Sequence, residues 1–419
     1  MLRSHINRSA MPNKSPKPHA APSSPTAVED CILVLQGGGA LGAYQAGVFE
    51  SLSRVYKEPS WVAGISIGAI NAALIAGNPQ ATRVERLHEF WDLVSSSSTI
   101  PGGDNRTGRN NAVAREAFNE AAASQVMLFG VPGFFAPRFP PAPFQPRGTL
   151  AAISYYDTTP LKATLERLVD FDRINSGATR LSVGAVNVRT GNFEYFDSAV
   201  QPLDVRHIMA SGALPPGFAP VEIDGEHYWD GGLVSNTPLQ YVLDQPMQPG
   251  KHGRVAFQVD LFHAHGALPA TLGEVSEREK DIRFSSRTRL GTTMELDREV
   301  IAQAAQRLLA KLPPALRDDP DALALAGLRG DDCKDARVDV VHLIYRSKHY
   351  ESQSKDYEFS RLSMHEHWDA GRADMAHTLL DPRWTGRDRN ASGVRVFDLI
   401  DDGPQLHKTS TPTQKATPP

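Results

Sequence analysis

Gly64-Ile65-Ser66-Ile67-Gly68 is the stretch that decides the fold, and it stands between a short apolar run at 61–63 and an alanine-rich run at 69–76. Glycines on both sides of a serine suit a sharp turn from a strand into a helix, because nothing larger than hydrogen clears the neighbouring backbone there. Such a turn holds the serine hydroxyl clear of the sheet. The sequence therefore predicts a strand, a tight turn carrying Ser66 and a buried helix that ends at Gly77.

A similar unit lies just upstream. The apolar run Cys31-Ile32-Leu33-Val34-Leu35 predicts a strand buried on both faces, and Gly37-Gly38-Gly39-Ala40-Leu41-Gly42 follows it at once. Apolar residues recur at helical spacing over 41–55, with Glu50 and Arg54 on the expected wet side. Two successive strand-loop-helix units indicate an α/β fold, with a mostly parallel central sheet covered by helices on both faces.

A nucleophilic serine also needs a base. The most suggestive candidate is Asp230 in Tyr228-Trp229-Asp230-Gly231-Gly232. Two glycines after an acid allow close approach of the backbone. The preceding residues, 210–220, form an apolar loop containing Ser-Gly-Ala-Leu-Pro-Pro, which could wall a cleft and exclude water. Asp230 is therefore the candidate base for Ser66.

In this order the segments resemble the patatin-like phospholipase family: a GxGxxG loop, GxSxG, Ser-Gly-Ala-Leu-Pro-Pro, Asp-Gly-Gly and a trailing Asn-x-Pro, together spanning about half of the chain. The resemblance implies a lipid acyl hydrolase of the phospholipase A or esterase type, which works through a Ser-Asp dyad and an acyl-enzyme. Ser66 would be the nucleophile and Asp230 its base, with no metal or organic cofactor. The N–H groups of Gly37, Gly38 and Gly39 would form the oxyanion hole. The supporting glycines of the motifs are Gly42, Gly64, Gly68, Gly231 and Gly232.

Two features of this chemistry are demanding. A free aspartate titrates near pKa ~3.9 and is a poor base toward a hydroxyl, so the site must desolvate the carboxylate and stabilise the oxyanion strongly. The chain also departs from the family at one position, because many members carry an arginine where Leu41 stands. Backbone donors, assisted by the positive end of the helix that opens near Ala40, would then carry the oxyanion.

Three alternative hypotheses of function follow from the same motifs. A Ser-Asp-His triad would need a histidine after the acid, and several qualify by order alone: His252, His263, His265, His342, His349, His365, His367, His377 and His407. A dinucleotide-binding domain would match Gly37-x-Gly39-x-x-Gly42, but this interpretation fails because it requires an acidic residue at the end of the next strand, where the chain instead runs into Gly64 and Ser66. A catalytically silent lipid-binding protein of the same fold is the third.

Composition narrows the class of protein. The 419 residues carry a net charge of -4, which gives no reason to expect a nucleic-acid partner. Two cysteines, Cys31 and Cys333, cannot form a disulfide framework and fit a reducing compartment. No apolar stretch is long enough for a bilayer span. We expect a cytoplasmic protein whose substrate is a lipid or phospholipid ester. Its contact with a membrane surface would be peripheral and transient. The sequence makes no prediction of an oligomeric state.

The chain divides into four parts. Residues 1–28 predict a disordered leader, with a targeting segment as the alternative, and 402–419 predict a flexible tail. Residues 29–245 form the expected patatin-like catalytic core. Residues 246–401 resemble the extension found behind that core in some bacterial members. Within this C-terminal elaboration, 254–261 and 338–345 predict strands that could continue the central sheet, with a helix over 292–312.

Smaller clusters add further hypotheses. A polar stretch at 95–111 predicts a loop, and residues 134–144, rich in phenylalanine and proline, predict either a lid that meets lipid or a rigid connector. Two short histidine clusters, at His263 and His265 and at His365 and His367, lack the third ligand and spacing of a catalytic zinc site. The arginines at 283, 287 and 289 are interpreted as a solvated basic face.

Overall fold

The computed structural model describes residues 29–56, 58–96, 112–246, 253–313, 316, 319–326, 337–348, 350–389 and 393–400. The predicted leader at 1–28 and the predicted tail at 402–419 lie outside the described residues. The same holds for most of the polar stretch predicted as a loop, and for the side chains of Arg287 and Arg289.

Helices and strands alternate through most of the described chain. The strands are β1 (Glu29–Leu35), β2 (Trp61–Gly64), β3 (Ala136–Pro137), β4 (Tyr156–Asp157), β5 (Arg180–Asn187), β6 (Phe193–Asp197), β7 (Val221–Ile223), β8 (Glu226–Asp230), β9 (Gly253–Asp260), β10 (Arg337–Ile344) and β11 (Gly393–Asp398). The α-helices are α1 (Gly42–Leu52), α2 (Ile67–Ala76), α3 (Arg83–Val94), α4 (Ala112–Phe129), α5 (Thr159–Leu168), α6 (Phe171–Asn175), α7 (Val205–Ser211), α8 (Leu239–Asp244), α9 (Leu272–Leu309), α10 (Pro320–Ala326), α11 (Arg361–Leu380) and α12 (Pro382–Thr385). Within the part of the chain that the structure describes, no helix is both long and apolar enough to cross a bilayer.

A single central sheet organises the molecule. Its strand order is β11-β10-β9-β1-β2-β5-β8-β7, with β6 paired to β5 off this path. Pairing is parallel from β11 to β5, and antiparallel where β6 and β8 meet β5 and where β7 meets β8. The predicted α/β class with a mostly parallel sheet is confirmed, and β9 to β11 continue the same sheet beyond the first half of the chain.

Strand β1 shows why the sheet is covered on both faces. Cys31, Leu33 and Leu35 point into the larger hydrophobic core with α1, α2, α3 and α11. Ile32 and Val34 point into a smaller core on the opposite face with residues of α8. Alternation with a period of two explains the split, since successive side chains of a strand leave on opposite faces. The fully apolar run is what a strand buried on both faces requires.

Helix α1 is more buried than a helix with one wet side would be, although Glu50 and Arg54, the residues predicted on that side, are half-buried and exposed respectively. All of its residues except Glu50 are buried, because α11 from the C-terminal extension packs along it. The two helices approach closely enough that a Cβ added at Gly47 would lie 2.0 Å from the Trp368 carbonyl oxygen. A Cβ added at Gly371 would lie equally close, at 2.0 Å, to the Tyr44 carbonyl oxygen. Glycine on each helix therefore permits this contact between the two halves of the chain.

The extension agrees with the sequence in its strands and differs in its long helix. Strands β9 and β10 confirm the predictions at 254–261 and 338–345 to within a residue at each end. Helix α9 runs for 38 residues and begins about twenty residues before the predicted start at 292. Its N-terminus is capped by the Thr271 side chain, which accepts a hydrogen bond from the Glu274 N–H. The added turns are rich in charged residues and lack the apolar periodicity on which the prediction was based.

Candidate active site

Ser66 stands at the turn from β2 into α2, as the sequence predicts. Its backbone has φ 56 and ψ -125, a left-handed conformation that an L-residue adopts only under strain. A Cβ added at Gly64 would lie 2.2 Å from the Gly68 carbonyl oxygen, and one at Gly68 would lie 2.3 Å from that of Leu35. Both glycines of the motif are therefore required by backbone contact, and together they hold the partly exposed serine above the end of the sheet.

Asp230 reaches Ser66 because β2 and β8 share one edge of β5. Gly64, the last residue of β2, pairs with Val183, and Asp230, the last residue of β8, pairs with Ala185. Strand β6 occupies the other edge of β5 along the same residues. The acid therefore lies just beyond the end of β2. The Ser66 hydroxyl donates a hydrogen bond to Asp230 Oδ2 at 2.6 Å, across 164 residues of sequence.

The carboxyl group of Asp230 is 2% exposed. Burial raises its pKa to about 6, since loss of water penalises the charged form, while hydrogen bonds from the Ser66 hydroxyl and the Gly232 N–H oppose the shift. The Gly232 N–H donates to Oδ1 at 2.7 Å, so each carboxylate oxygen has a donor. A buried acid with this raised pKa is a stronger base than free aspartate and is still largely ionised at neutral pH.

The glycine-rich loop presents two of its three candidate donors to the cleft. The Gly37 N–H donates to the Asn236 carbonyl at 3.2 Å, and the Asn236 side chain donates back to the Gly37 carbonyl at 2.9 Å. Gly37 is therefore held on both sides and buried. Gly38 and Gly39 are partly exposed and line the cavity beside Ser66. Neither of their N–H groups donates to another atom within the described residues.

Other residues of the motifs support this arrangement. The Ser211 hydroxyl donates to the Gly184 carbonyl at 2.7 Å and accepts from the Ser66 N–H at 3.1 Å, so it ties the turn to β5. A Cβ added at Gly231 would lie 2.6 Å from the Gly184 carbonyl oxygen. At Gly42 it would lie 2.5 Å from the Ile67 side chain. The sequence indicates no specific role for the Ser211 hydroxyl or for the Asn236 side chain.

A cavity of about 460 Å³ opens directly over Ser66 and Asp230. Its volume lies within the range of pockets that hold small ligands. The core contributes mostly apolar walls, from α2, α4, the segment before α5 and the loop at 212–218. The loop containing Pro215 and Pro216 therefore lies in the wall of the cavity, as the sequence predicts. Side chains on these walls include Ile67, Ile70, Val126, Phe134, Phe135, Leu214 and Phe218.

The C-terminal extension supplies the rest of the wall. Residues 353–359, which lie between β10 and α11, cover the glycine-rich loop, and we call them the covering segment. The Asp356 carbonyl accepts from the Ala40 N–H at 2.8 Å, and a Cβ added at Gly39 would lie 2.0 Å from the same oxygen. Asp356 and Phe359 line the cavity, as does Phe284 of α9. The site is therefore built from both halves of the chain, which the sequence did not indicate.

Ion pairs with α9 hold the covering segment. Lys355 is buried, and its ammonium lies 2.9 Å from Glu277 and 2.8 Å from Asp281. Lys280 lies 2.7 Å from the Asp356 carboxylate and donates to the Gln353 carbonyl at 2.7 Å. Nearby acids raise the pKa of Lys355 against the opposing effect of burial, so the charged form persists at neutral pH.

The segment at 134–144 divides into two parts. Phe134 and Phe135 are buried and line the cavity, so this end is a fixed wall. Phe139 and Phe144 are exposed. The structure thus combines features of both sequence hypotheses, with a packed end and an exposed apolar end.

Histidines lie away from the dyad in the described residues. None of the histidines that the structure describes lines the cavity, and His365 and His377 are exposed on α11. His367 is buried and contacts Glu351 at 3.1 Å, while His263 contacts the backbone of His265. His252, His349 and His407 lie outside the described residues. Among the residues described, no group of three or more histidine, cysteine, aspartate or glutamate side chains is placed to hold a metal ion.

Two family models match the chain. The first, described as patatin-like phospholipase, matches residues 33–243, half of the 419-residue chain. The second, described as patatin phospholipase, matches residues 282–391. The first match includes both Ser66 and Asp230, and the second includes the covering segment.

Individual proteins show weaker similarity. The chain is 26% identical over 221 residues to a cGAMP-activated phospholipase of Vibrio cholerae serotype O1, and the match covers 49% of this chain and 55% of that protein. The chain thus spans little more than half the length of this relative. Among solved structures, VipD from Legionella pneumophila gives a TM-score of 0.31 at 13% identity, covering 83% of this chain and 67% of that chain. A chain of the heterodimeric ExoU-SpcU complex from the type III secretion system of Pseudomonas aeruginosa gives a TM-score of 0.29 at 18% identity. This match covers 72% of this chain and 69% of that chain.

Proposed function

The chain belongs to the patatin-like phospholipase family, and on this premise we propose that it is a lipid acyl hydrolase of the phospholipase A or esterase type. The observation that carries the proposal is the 2.6 Å hydrogen bond from the Ser66 hydroxyl to Asp230 at the base of an apolar cavity. A hydroxyl paired with a buried base, beside free backbone donors, is the arrangement that acyl transfer requires.

Acylation begins when Asp230 takes the proton of Ser66 as the serine oxygen attacks the ester carbonyl carbon. The carbonyl π electrons move onto the oxygen, and the N–H groups of Gly38 and Gly39 stabilise the negative charge. When the tetrahedral intermediate collapses, the bond to the alcohol oxygen breaks, and that oxygen takes the proton from Asp230. The products are the free alcohol and an acyl ester on Ser66.

Deacylation repeats these steps with water. Asp230 takes a proton from a water molecule as its oxygen attacks the acyl carbon, and the same donors hold the second oxyanion. Collapse breaks the bond to the Ser66 oxygen, which recovers its proton from Asp230 and releases the fatty acid. One carboxylate therefore serves both half-reactions, alternating between base and acid.

The apolar cavity favours the acyl chain as the part of the substrate that binds inside it. Its walls carry several aromatic and aliphatic side chains, and the polar side chains of Ser66, Asp230 and Asn236 cluster at one place. Binding an alkyl chain there would remove apolar surface from water. The alcohol part of the ester would then extend toward the open side of the cavity.

We further propose that residues 29–245 are the catalytic core and that 246–401 are an extension which completes the site. Support comes from the sheet, because β9 pairs with β1 and carries β10 and β11 beyond it. The covering segment adds a direct contact to the glycine-rich loop. The extension would therefore be needed for full activity.

Two alternatives remain as outcomes of experiment. A Ser-Asp-His triad has less support, since no histidine of the described residues lines the cavity. A catalytically silent lipid-binding protein would retain the cavity without turnover. The dinucleotide-binding alternative is disfavoured because the strand after the glycine-rich loop ends at Gly64 and leads into Ser66 rather than into an acid.

Hydrolysis of a phospholipid panel tests the proposal. Purified protein should release fatty acid from phosphatidylcholine or phosphatidylglycerol, and the Ser66→Ala variant should not. Fatty acid release that survives Ser66→Ala would contradict the assignment of the nucleophile. Lipid binding without any release from esters of different headgroups and chain lengths would favour the silent protein.

A further inference from the structure

Exposed apolar side chains are concentrated in the segments near Met127 and Tyr155, two residues that line the cavity. Phe139 is 95% exposed, Phe144 77%, Phe129 73% and Leu128 67%. Met127, Leu150, Ile153 and Tyr155 add to this set and are also exposed. Large apolar side chains concentrated in this way on a protein surface mark an interaction site.

Contacts within the chain bring these residues together. The Tyr156 hydroxyl donates to the Met127 carbonyl at 2.8 Å, which ties the end of α4 to β4. The Arg138 N–H donates to the Tyr155 carbonyl at 3.0 Å, next to Phe139. The short 3-10 turns at Ala142–Phe144 and Leu150–Ile153 pack against each other. We call the surface formed by 127–129, 139–144 and 150–155 the apolar rim.

The apolar rim is continuous with the cavity over Ser66. Met127 and Tyr155 line the cavity and are exposed at the same time, so they mark its mouth. Leu214 does the same on the opposite loop. An acyl chain entering the cavity would therefore pass between side chains of the rim.

The charge around the rim complements an anionic surface. Residues 121–156 contain Arg138 and Arg147 and no aspartate or glutamate, whereas the whole chain carries a net charge of -4. Arg147 is exposed between the rim segments 139–144 and 150–155. An acid-free apolar surface with added arginines is suited to the headgroup region of anionic phospholipids, which attracts basic residues and accepts aromatic side chains.

We propose that the apolar rim docks on the surface of a phospholipid bilayer that contains anionic lipids. Docking inserts Phe139 and Phe144 into the boundary between headgroups and acyl chains and sets the cavity mouth against the lipid. A lipid ester then reaches Ser66 without crossing bulk water. The inference rests on the proposed function, because it assigns the rim to delivery of the substrate to that site.

Vesicle binding tests the rim separately from catalysis. The inactive Ser66→Ala protein is sedimented with phosphatidylcholine vesicles, with and without phosphatidylserine, so that hydrolysis does not alter the membrane. Adding Phe139→Ser and Phe144→Ser should weaken binding to the mixed vesicles about 10-fold or more. Arg147→Gln should weaken it about 5-fold on mixed vesicles and leave binding to pure phosphatidylcholine unchanged.

A matched control uses apolar residues of equal exposure away from the rim. Leu268 is 93% exposed and Leu380 is 79% exposed, and neither lies within 121–156. Leu268→Ser with Leu380→Ser should leave vesicle binding unchanged. Equal loss of binding in both double variants, or no loss in the phenylalanine variant, would overturn the proposal.

Two further outcomes are distinguishable. If the phenylalanine variant converts a dimer into a monomer in size-exclusion chromatography and vesicle binding does not change, the rim is a self-association surface and the proposal is wrong. Turnover of a water-soluble short-chain ester by the wild-type protein is measured separately. Absence of that turnover would contradict the proposed function, while vesicle binding through the rim would stand as measured.

Discussion

The glycine loops at 37–42 and 64–68 and the covering segment at 353–359 meet at one cavity, yet different forces hold them. The loops are fixed by close contacts that only glycine permits. The covering segment is fixed by ion pairs, from Lys355 to Glu277 and Asp281 and from Lys280 to Asp356. Local backbone geometry thus sets the reactive groups, and contacts between distant parts of the chain enclose them. Substitutions in the two regions should therefore affect turnover differently.

The largest effect is expected in the loops. Ser66→Ala removes the only hydroxyl that contacts Asp230 in the described residues, so kcat for a lipid ester should fall by about 10⁴-fold or more. Fatty acid release measures the change. Ser176→Ala, an exposed serine outside the cavity, is the control and should keep wild-type turnover. Comparable losses in the two variants would mean that Ser66 has no special role.

Asp230→Asn should cost nearly as much activity and should increase stability. Folded Asp230 has a pKa of about 6, above the ordinary value of 3.8, so the folded state binds the proton more tightly than the unfolded state. Its ionisation therefore lowers stability as pH rises from about 4 to 6, and the cost is complete at pH 7. Asparagine removes it, which should raise the free energy of unfolding at pH 7 by up to about 3 kcal/mol.

Denaturant unfolding at pH 7 and at pH 4 measures this effect. The gain from Asp230→Asn should be present at pH 7 and largely absent at pH 4. Asp224→Asn, an exposed acid on the same hairpin, should change neither activity nor stability appreciably. If Asp230→Asn is destabilised at pH 7, ionisation of the buried carboxylate does not carry the predicted free-energy cost.

Gly39→Val tests the contact between the two regions. Gly39 has φ +56, and a Cβ there would lie 2.0 Å from the Asp356 carbonyl oxygen. The loop and the covering segment must then separate, and misplacing the oxyanion donors should lower kcat about 100-fold. Gly177→Val is the matched control, because Gly177 has φ +77 but nothing within 4 Å of an added Cβ. It should lose stability and keep its kcat.

Lys355→Met should give a smaller effect of a different kind. It leaves Glu277 and Asp281 without their buried cation, so the covering segment should lose its fixed position, and kcat should fall about 10-fold. Lys162→Met, which removes an exposed ion pair with Glu166, is the control. Lys280→Met removes a less buried ion pair of the covering segment and should also lower kcat. It serves as the test if Lys355→Met does not fold. Unchanged kcat in both folded variants would mean that the segment encloses the cavity without positioning the loop.

The last prediction needs no substitution and concerns the pH dependence of the wild-type protein. The base must be ionised, and Asp230 has a pKa of about 6, so kcat/KM should fall as pH drops through 6, approaching 10-fold per pH unit below it. Lys162→Met keeps Asp230 and should show the same fall, and circular dichroism at each pH measures whether the protein stays folded. A plateau that extends down to pH 4 would contradict the raised pKa.

The comparison also explains what the sequence could predict. Both strand-loop-helix units and the position of Ser66 follow from short motifs, since glycine requirements at a turn are local. The Ser-Asp contact spans 164 residues, and it was inferred from the family resemblance rather than from spacing. The parallel sheet followed from the repeated unit and from the apolar runs that became β9 and β10.

What could not be predicted depends on contacts between the two halves. Nothing near Gly39 indicates that Asp356 accepts a hydrogen bond from Ala40, because the partners are about 300 residues apart. The burial of most of α1 against α11 could not be predicted for the same reason. The sequence predicts Gly37 as an oxyanion donor together with Gly38 and Gly39, but in the structure its N–H donates to the Asn236 carbonyl. The early start of α9 did have a signal, since Thr271 and Glu274 have the spacing of a helix N-cap.

Fluorophosphonate labelling tests the central claim most directly, because the reagent reacts with a serine that has been activated by its base. The label should be found by mass spectrometry on Ser66, and the labelling rate should fall at least 100-fold in Asp230→Asn while His263→Gln labels at the wild-type rate. Labelling at the wild-type rate in Asp230→Asn, or loss of labelling in a histidine variant, would contradict a mechanism in which Asp230 alone activates Ser66.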